Sequence, residues 1–466
     1  MDKEKKKYSL FKVIGIAFLL YVVLTWFIPT GTFSGGQFTK GEVTPLGLYG
    51  LFSAPVYSFA VFAQYIVLIL CVGGFYGVLN KTGAYQKIVE WLSSKDKVKF
   101  LIASIVIFSL VTSVFGETMI IFVLLPFFIT VLMKMGYSKL ESLAGTIGGS
   151  FIGMVASISG NLAIYKNYFG LEPKIFILFN IIMLIILIFL LSMFIISKSN
   201  KDVKKNTKNE IIPLFESVKG GKKSTLPLII ILIVVLLLLI LGLYNWYYSF
   251  NVEVFSKLHE KIVGTQLFGI DIISKIFGNI SEIGYFSNYD VSAILVIASF
   301  IISWIYSIKF NELIESFKNG AKEVFIPALY VVFASVIFSQ IVTSSGGNIS
   351  LTISNFILGL SKDFNIFTGC LTGILGSFFY NDYLYFINGL YGIVSLYNAT
   401  MMPFILTVFQ SMFGIMMFIL PVSIVLIGGL KYLDISYKEW IKYIWKFLIQ
   451  LFIISIIGSI ILSMIV

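Results

Sequence analysis

Residues 113–118 read Ser113-Val-Phe-Gly-Glu117-Thr118 and lie in the middle of an apolar stretch, residues 100–133. A second apolar stretch, residues 364–398, contains Ser377-Phe-Phe-Tyr-Asn381-Asp382 at the matching place. A carboxylate at bilayer depth costs about 2.5–3.5 kcal/mol on insertion scales, so membrane proteins keep such groups mainly where they pair, line water, or handle an ion or substrate. The two segments therefore mark the polar centre of a membrane-embedded fold.

The composition of the whole chain predicts a membrane protein with many helical spans. It is 58% hydrophobic and 12% charged, with a mean hydropathy of +0.96, which is far outside the range of soluble domains. Apolar runs of about 20 residues, each long enough to cross a bilayer as a helix, recur from end to end. A β-barrel would show alternating segments of about ten residues instead. We therefore expect an all-α, polytopic membrane protein.

The two interrupted stretches predict re-entrant helical hairpins. Residues 100–133 are too few for two full crossings, which would need about 40 residues. Lys99 precedes this stretch and Lys134 follows it, so both of its ends are expected on the cytosolic side. Non-helical backbone at mid-membrane is tolerated only where protein or a water-filled cavity surrounds it. We predict one hairpin tip at Glu117, and a second hairpin that enters from the outside at residues 364–398.

Similar sequence features follow one another in the same order in the two halves of the chain. An offset of about 264 residues places Glu117 on Asn381 and Lys174 on Lys438. The span at 141–165 contains Ser157-Ile-Ser159-Gly160-Asn161, which reads as a break, and the span at 324–343 ends in Thr343-Ser-Ser-Gly-Gly-Asn348. The pattern predicts two inverted-topology repeats, each with a re-entrant hairpin and a broken transmembrane helix, which is typical of many secondary transporters.

The lysine pattern sets the expected organisation and orientation. The chain contains no arginine and carries a formal net charge of +11, and its lysines cluster in short loops, which indicates the positive-inside rule and no nucleic-acid partner. About nine crossings and two hairpins follow, with a cytosolic N-terminus and an external C-terminus in a prokaryotic cell membrane. We divide the chain into a first repeat half (1–197), a basic cytosolic linker (198–224), a connecting span with an outer loop (225–290), and a second repeat half (291–466).

Polar residues near the breaks are the candidate binding residues. We predict that they line one substrate or ion site near the midplane: Glu117, Thr118, Ser157, Ser159, Asn161, Thr343, Ser344, Ser345, Gly347, Asn348, Asn381, Asp382 and Gln410. Alternatives stay open for several of them. The carboxylates of Glu117 and Asp382 are alternatively helix caps, and the serines are alternatively packing contacts between helices. Gln410 is alternatively a satisfied interhelical hydrogen bond.

These features favour a secondary active transporter over other classes of membrane protein. A channel often shows rings of identical residues in a symmetric oligomer, rather than two antiparallel hairpins within one chain. A membrane enzyme needs a catalytic pair or a metal set, and the sequence has one histidine and two scattered cysteines. We therefore predict no enzyme activity, no metal centre and no cofactor, with Na⁺ or H⁺ as the coupling ion. A non-transporting scaffold protein remains an alternative.

Glycine-based motifs resemble those of the YfcC/DcuC family in the ion transporter superfamily. Gly73-Gly-Phe-Tyr-Gly-Val-Leu-Asn-Lys-Thr-Gly83 resembles its GG-x-x-G-x-x-x-x-TG segment. Glu117-Thr118 with Pro126 downstream resembles its E-E-T…P hairpin, and Asn161 falls where the family has N-P. This chain has Gly116 where the family often has a second acid, and Leu162 in place of the proline.

The resemblance implies a carrier of a small carboxylate-bearing metabolite. The resemblance implies C4-dicarboxylates as substrates. It also implies, through relatives of the family, amino acids such as arginine and ornithine. The family fold implies a scaffold and a transport domain that moves like an elevator, often in a homodimer within the lipid bilayer. Coupling to an ion and exchange of two substrates are both consistent with the resemblance.

Overall fold

A computed structural model describes residues 9–34, 36–116, 119–159, 174–203, 224–247, 251–267, 270–278, 280–344 and 347–465. Helices make up most of it. Those of the first half are α1 (Ser9–Phe27), α2 (Leu48–Val61), α3 (Ala63–Lys81), α4 (Ala84–Ser93), α5 (Lys97–Phe115), α6 (Met119–Lys134), α7 (Lys139–Leu143), α8 (Gly149–Val155) and α9 (Lys174–Val203). A π-helical turn, Ala144–Gly148, joins α7 to α8.

The connecting region and the second half are also helical. Their helices are α10 (Leu226–Leu243), α11 (Val254–Val263), α12 (Ile272–Phe277), α13 (Asn288–Ile305), α14 (Phe310–Ala334), α15 (Val336–Thr343), α16 (Ile349–Leu358), α17 (Ile366–Gly376), α18 (Tyr383–Val394), α19 (Met402–Met417), α20 (Ile424–Tyr432) and α21 (Tyr437–Ile465). A 3₁₀ turn, Ala399–Met401, precedes α19. Most of the predicted linker 198–224 lies outside the described residues, and α9 runs to Val203.

Two small antiparallel ribbons accompany the helices. One pairs β1 (Gly31–Ser34) with β2 (Gln37–Lys40), and the other pairs β3 (Gln266–Leu267) with β4 (Ile270–Asp271). The first ribbon follows α1, and α2 begins at Leu48 because an apolar run starts there.

Eight helices of the described residues are long and apolar enough to cross a membrane, namely α1, α3, α5, α9, α10, α13, α19 with its preceding 3₁₀ turn, and α21. A ninth candidate is the pair α14 and α15, which is bent by 49°. The chain is therefore a multi-pass helical membrane protein, as its composition predicts.

Both interrupted stretches contain two helices with a break at the expected place. Gly116 ends α5 in the left-handed conformation (φ +69°), which glycine adopts without steric cost, and α6 begins at Met119. In the second half, residues 377–382 separate α17 from α18. The order of elements is the same in both halves: a span, a short helix, a pair separated by a break, a broken span, and a long final helix. The inverted orientation of the halves stays a prediction.

The span that the sequence placed at 324–343 begins earlier. The helix α14 is continuous over 25 residues, and its polar half packs on α3. Further along the chain, residues 418–423 separate α19 from α20. Pro421 lies in this break, and proline supplies no N–H to continue a helix.

The helices α3 and α14 pack closely against each other, and small residues allow it. A Cβ atom on Gly77 would lie 2.2 Å from the carbonyl oxygen of Ser316, and one on Gly320 would lie 2.1 Å from that of Gly73. Only glycine fits at such a distance, which is how helices in membranes approach one another. This crossing holds the first repeat half against the second.

Candidate functional site

Gln410 is fully buried on α19 and joins three helices. Its Nε2 donates to the carbonyl oxygen of Val155 at 3.2 Å and to Oδ1 of Asn180 at 3.1 Å. One turn further, a Cβ atom on Gly414 would lie 2.6 Å from the backbone nitrogen of Val155. The C-terminal end of α8 therefore lies directly on α19. A buried amide needs partners of this kind because an unpaired polar group in an apolar interior is costly.

The chain unwinds immediately after α8 and is held there by the end of α5. The backbone N–H groups of Ile158 and Ser159 both donate to the carbonyl oxygen of Ser113, at 2.8 and 3.0 Å. In return, the Ser113 hydroxyl donates to the carbonyl oxygen of Ala156 at 2.6 Å. These bonds replace the helical ones that the unwound backbone has lost. The first predicted hairpin and the first broken span are thus joined next to the hairpin tip.

Ser157 and Ser159 contribute two hydroxyls at this junction. Ser157 Oγ lies 3.4 Å from the Ser113 carbonyl oxygen. Ser159 Oγ is buried and has no hydrogen-bond partner among the described residues, and a Cβ atom on Gly116 would lie 3.1 Å from it. Glu117, Thr118 and Asn161 lie outside the described residues. The described part of the junction therefore offers one free buried hydroxyl beside the hairpin tip.

A second polar network surrounds the break between α17 and α18. Asn381 is buried, and its Nδ2 donates to Oγ of Ser335 at 3.2 Å. Ser335 lies at the bend between α14 and α15. The neighbouring residue Tyr380 forms a 2.8 Å hydrogen bond between its hydroxyl and that of Ser350, which in turn donates to Oδ1 of Asn348. The second break is therefore tied to the bent span and to the start of α16.

Asp382 is the N-cap residue of α18. Its Oδ1 accepts a hydrogen bond from the backbone N–H of Tyr385 at 3.1 Å. This contact satisfies one of the N–H groups that the first turn of a helix leaves without a partner. Asp382 therefore acts as a helix cap, which is one of the two alternatives that the sequence left open. The cap uses one of its carboxylate oxygens.

The two networks meet on α19. The Tyr383 hydroxyl donates to the carbonyl oxygen of Leu406 at 3.3 Å, and the Tyr383 ring packs on Phe413 with 5.6 Å between centroids. Leu406 lies one helical turn from Gln410, a rise of about 5.4–6 Å. The break that ends at Asp382 and the unwound end of α8 are therefore held on the same short segment of α19. This junction, formed by Ser113, Val155–Ser159, Asn180, Gln410 and Asn381–Tyr383, is the candidate site.

Not all the predicted residues lie at this junction. Thr343 and Ser344 are exposed, and Ser345 lies outside the described residues. Asn348 caps α16 and exchanges two backbone hydrogen bonds with Gly31 of β1, at 3.0 and 3.1 Å. Gly347 (φ +86°) allows this approach, since a Cβ atom there would lie 2.3 Å from the Gly31 carbonyl oxygen. Within the described residues the 343–348 cluster therefore contacts β1, and reaches the junction only through Asn348, Ser350 and Tyr380.

Six side chains of the two networks were not predicted: Ser113, Asn180, Ser335, Ser350, Tyr380 and Tyr383. Asn180 had a signal in the sequence, because it is an isolated amide in the apolar run 175–197. Ser113 belongs to the predicted hairpin segment 113–118, but nothing in the sequence distinguished it from its neighbours as a binding residue. Ser335 and Tyr380 had no distinguishing pattern. All six side chains offer hydroxyl or amide groups for hydrogen bonds. Among the described residues, no cluster of three or more His, Cys, Asp or Glu side chains suits a metal ion.

A comparison with known protein families identifies the family of this chain. The sequence profile of the DcuC family, described as a C4-dicarboxylate anaerobic carrier, matches residues 8–378 and 397–464. The chain belongs to the DcuC family. The family resemblance inferred from the glycine motifs is thereby confirmed, and the chain is a membrane transporter. No curated protein matches the sequence significantly.

Two solved transporter structures are similar to this chain. The YdaH transporter of Alcanivorax borkumensis is 12% identical, with 97% of this chain and 98% of that chain covered and a TM-score of 0.38. MtrF of Neisseria gonorrhoeae, described as illuminating a class of antimetabolite efflux pumps, is 13% identical, with 98% of this chain and 97% of that chain covered and a TM-score of 0.38.

Proposed function

We propose that this DcuC-family protein is a secondary active transporter of a small carboxylate-bearing metabolite, with C4-dicarboxylates as the first candidates. The observation that carries the proposal is the junction on α19, where Gln410 and the Tyr383 contact join the breaks of both halves. In transporters built from repeats, discontinuous helices meet at the substrate site near the midplane. The family description supports the dicarboxylate class.

The chemistry of the junction suits a carboxylate together with a cation. The helices α6 and α18 begin at the two breaks, and helix N-termini favour anions through the helix dipole and through N–H groups that no cap occupies. In α18 the Asp382 cap occupies the N–H of Tyr385. The backbone carbonyl groups of unwound segments and the serine hydroxyls favour binding of Na⁺ or an ammonium group. Glu117 and Asp382 would take up a proton or hold Na⁺. Coupling to Na⁺ or H⁺, or exchange of one substrate for another, follows from this set of groups.

A basic amino acid is the second candidate substrate, with arginine/ornithine exchange as the reaction. The observation in its favour is the presence of two acidic residues at the breaks in apolar surroundings. A carboxylate at such a depth is stabilised by an opposite charge, which an ammonium or guanidinium group would supply. The same helix N-termini would bind the carboxylate of the amino acid.

Flux measurements in proteoliposomes test the proposal. Purified protein would be reconstituted and supplied with labelled succinate, fumarate, arginine or ornithine, under an imposed Na⁺ gradient, a pH gradient or internal unlabelled substrate. We expect uptake of one substrate class, and a loss of at least about tenfold in Gln410→Ala, which removes about 1.4 kcal/mol or more of transition-state stabilisation. Gln86→Ala, on the amphipathic helix α4, is the control and should transport normally.

The result that would refute the proposal is uptake that does not exceed that of empty liposomes for all four compounds under every gradient. Uptake of arginine alone would exclude dicarboxylates as the substrate and support a basic amino acid. Equal flux in Gln410→Ala and Gln86→Ala would show that the junction on α19 takes no part in transport. We further propose a homodimer in a prokaryotic cell membrane, which light scattering of the detergent-solubilised protein tests.

A further inference from the structure

A polar cavity of about 500 Å³ lies between the end of α3 and the first half of α14. Gly77, Asn80 and Lys81 line it from α3, and their spacing places them on one helix face. The facing stripe on α14 consists of Glu312, Glu315, Ser316, Asn319, Gly320 and Glu323. The cavity belongs to the size class of small-molecule sites, which is about 300–1,000 Å³.

This cavity is separate from the candidate transport site. Gly320 lines the cavity, and Ser335 at the bend of α14 bonds Asn381. Fifteen residues of helix separate Gly320 from Ser335, which corresponds to about 22 Å along the axis. A ligand in the cavity would therefore not touch the junction on α19.

Asn80 is the residue that points to a ligand. Its side chain is only 7% exposed, and its Nδ2 donates to the carbonyl oxygen of Tyr76 at 2.9 Å. Its Oδ1 has no hydrogen-bond donor among the described residues, and Asn80 lines the cavity. This oxygen is accessible from the cavity, so a hydrogen-bond donor on a ligand could bind it.

The charges around the cavity favour a cationic ligand. Lys81 is paired with Glu312 at 3.7 Å. Glu315 and Glu323 have no lysine nitrogen within 4.0 Å among the described residues, and Lys322 lies at the exposed rim. The carbonyl of Glu323 also loses its helical donor because Pro327 has no N–H. Two unpaired carboxylates, the free Asn80 oxygen and the C-terminal end of α3 together attract positive charge.

We propose that this cavity binds a small organic cation with primary ammonium groups, such as a diamine or a basic amino acid. Ammonium groups supply the donors that Asn80 Oδ1, Glu315 and Glu323 lack, and the volume exceeds that of a bare ion. Within the described residues, no set of three His, Cys, Asp or Glu groups suits a metal ion, which also favours an organic cation. The Lys81 and Lys322 ammonium groups at the rim would accommodate the carboxylate of an amino acid.

Binding to the purified full-length chain in detergent tests this proposal. The probes are 1,4-diaminobutane and lysine, with NaCl at matched ionic strength as the control solute. A ligand of the folded state raises the midpoint of thermal unfolding. We expect a rise with at least one probe in the wild type, a loss of the rise in Glu315→Gln/Glu323→Gln, and at least tenfold weaker binding by calorimetry in Asn80→Leu.

The charge-matched control is Glu90→Gln/Glu260→Gln, which neutralises two exposed carboxylates outside the cavity and should bind like the wild type. Because Glu315 and Glu323 are exposed, the test variant should elute as a single species on size exclusion. The proposal is wrong if neither probe raises the midpoint above the NaCl control. It is equally wrong if both double variants bind the probes as tightly as the wild type does.

Discussion

Asn381, in the break between α17 and α18, donates its side-chain N–H to the hydroxyl of Ser335, in the bend between α14 and α15, at 3.2 Å. Both residues are buried. The Ser335 hydroxyl also donates to the carbonyl oxygen of Val331 at 3.0 Å. The bond therefore joins two places where helical hydrogen bonding is interrupted, and a movement that separates the α17–α18 break from the bend after α14 would break it.

Asn381→Ala should destabilise the protein and impair transport together. The substitution removes a buried hydrogen bond and leaves the Ser335 oxygen without its donor, which costs about 1–3 kcal/mol. We expect a lower midpoint of thermal unfolding and reduced flux in proteoliposomes. Asn355→Ala, in the partly buried face of α16, is the matched control. Equal midpoints for the two variants would show that the Asn381–Ser335 bond contributes no stability.

Gln410→Leu should destabilise the protein more than the double variant Gln410→Leu/Asn180→Leu. The single change leaves the Asn180 Oδ1 and the Val155 carbonyl buried without their shared donor, at a cost of about 1–3 kcal/mol. Replacing both amides by apolar groups removes one of these unpaired atoms. A double-mutant cycle on denaturant unfolding measures the coupling, and we expect about 0.5–3 kcal/mol. Strict additivity of the two changes would contradict this account of the bond.

Gly77→Ala should prevent normal assembly of the α3–α14 crossing. The new Cβ atom would lie 2.2 Å from the Ser316 carbonyl oxygen, and backbone atoms cannot yield as a flexible side chain does. We expect a large loss of monodisperse protein in fluorescence size-exclusion profiles. Gly15→Ala on α1 is the control, because nothing lies within 4 Å of its added Cβ atom. A normal profile for Gly77→Ala would mean that the helices can separate without cost.

Asp96 should contribute a pH-dependent cap to the first predicted hairpin. Its carboxylate accepts hydrogen bonds from the backbone N–H groups of Lys99 and Val98, at 3.0 and 2.9 Å, and these bonds lower its pKa. A lowered pKa in the folded state gives stability that is present above the unfolded pKa of about 3.9 and is lost as the pH falls through the folded pKa.

The check is thermal unfolding of the wild type and of Asp96→Ala between pH 7 and pH 3. We expect the wild type to be more stable at neutral pH, and the difference to shrink below about pH 4 as the carboxylate protonates. Asp96→Asn keeps a capping oxygen without the charge and should show a smaller, pH-independent effect. A difference between wild type and Asp96→Ala that is constant over this range would exclude the charged cap.

Local composition was sufficient to predict the helical membrane class, the breaks between α5 and α6 and between α17 and α18, and the involvement of Gln410 in a polar contact. Each of these depends on a polar or glycine residue within an apolar run, where the cost of exposing backbone or charge to lipid leaves few alternatives. The family followed from the glycine pattern for a related reason. Gly73 and Gly77 are required wherever two helices approach as closely as α3 and α14 do.

Only the tertiary structure decided which polar groups meet. Ser113 and Ser159, Gln410 and Asn180, and Asn381 and Ser335 are separated by between 46 and 230 residues in the chain. Nothing in the periodicity of a helix specifies a partner on another helix, because many apolar faces pack equally well until side-chain volumes are matched in three dimensions. The same limit applies to α14. The sequence placed the start of this span at residue 324, because a sequence does not show that α3 packs on the polar residues before it.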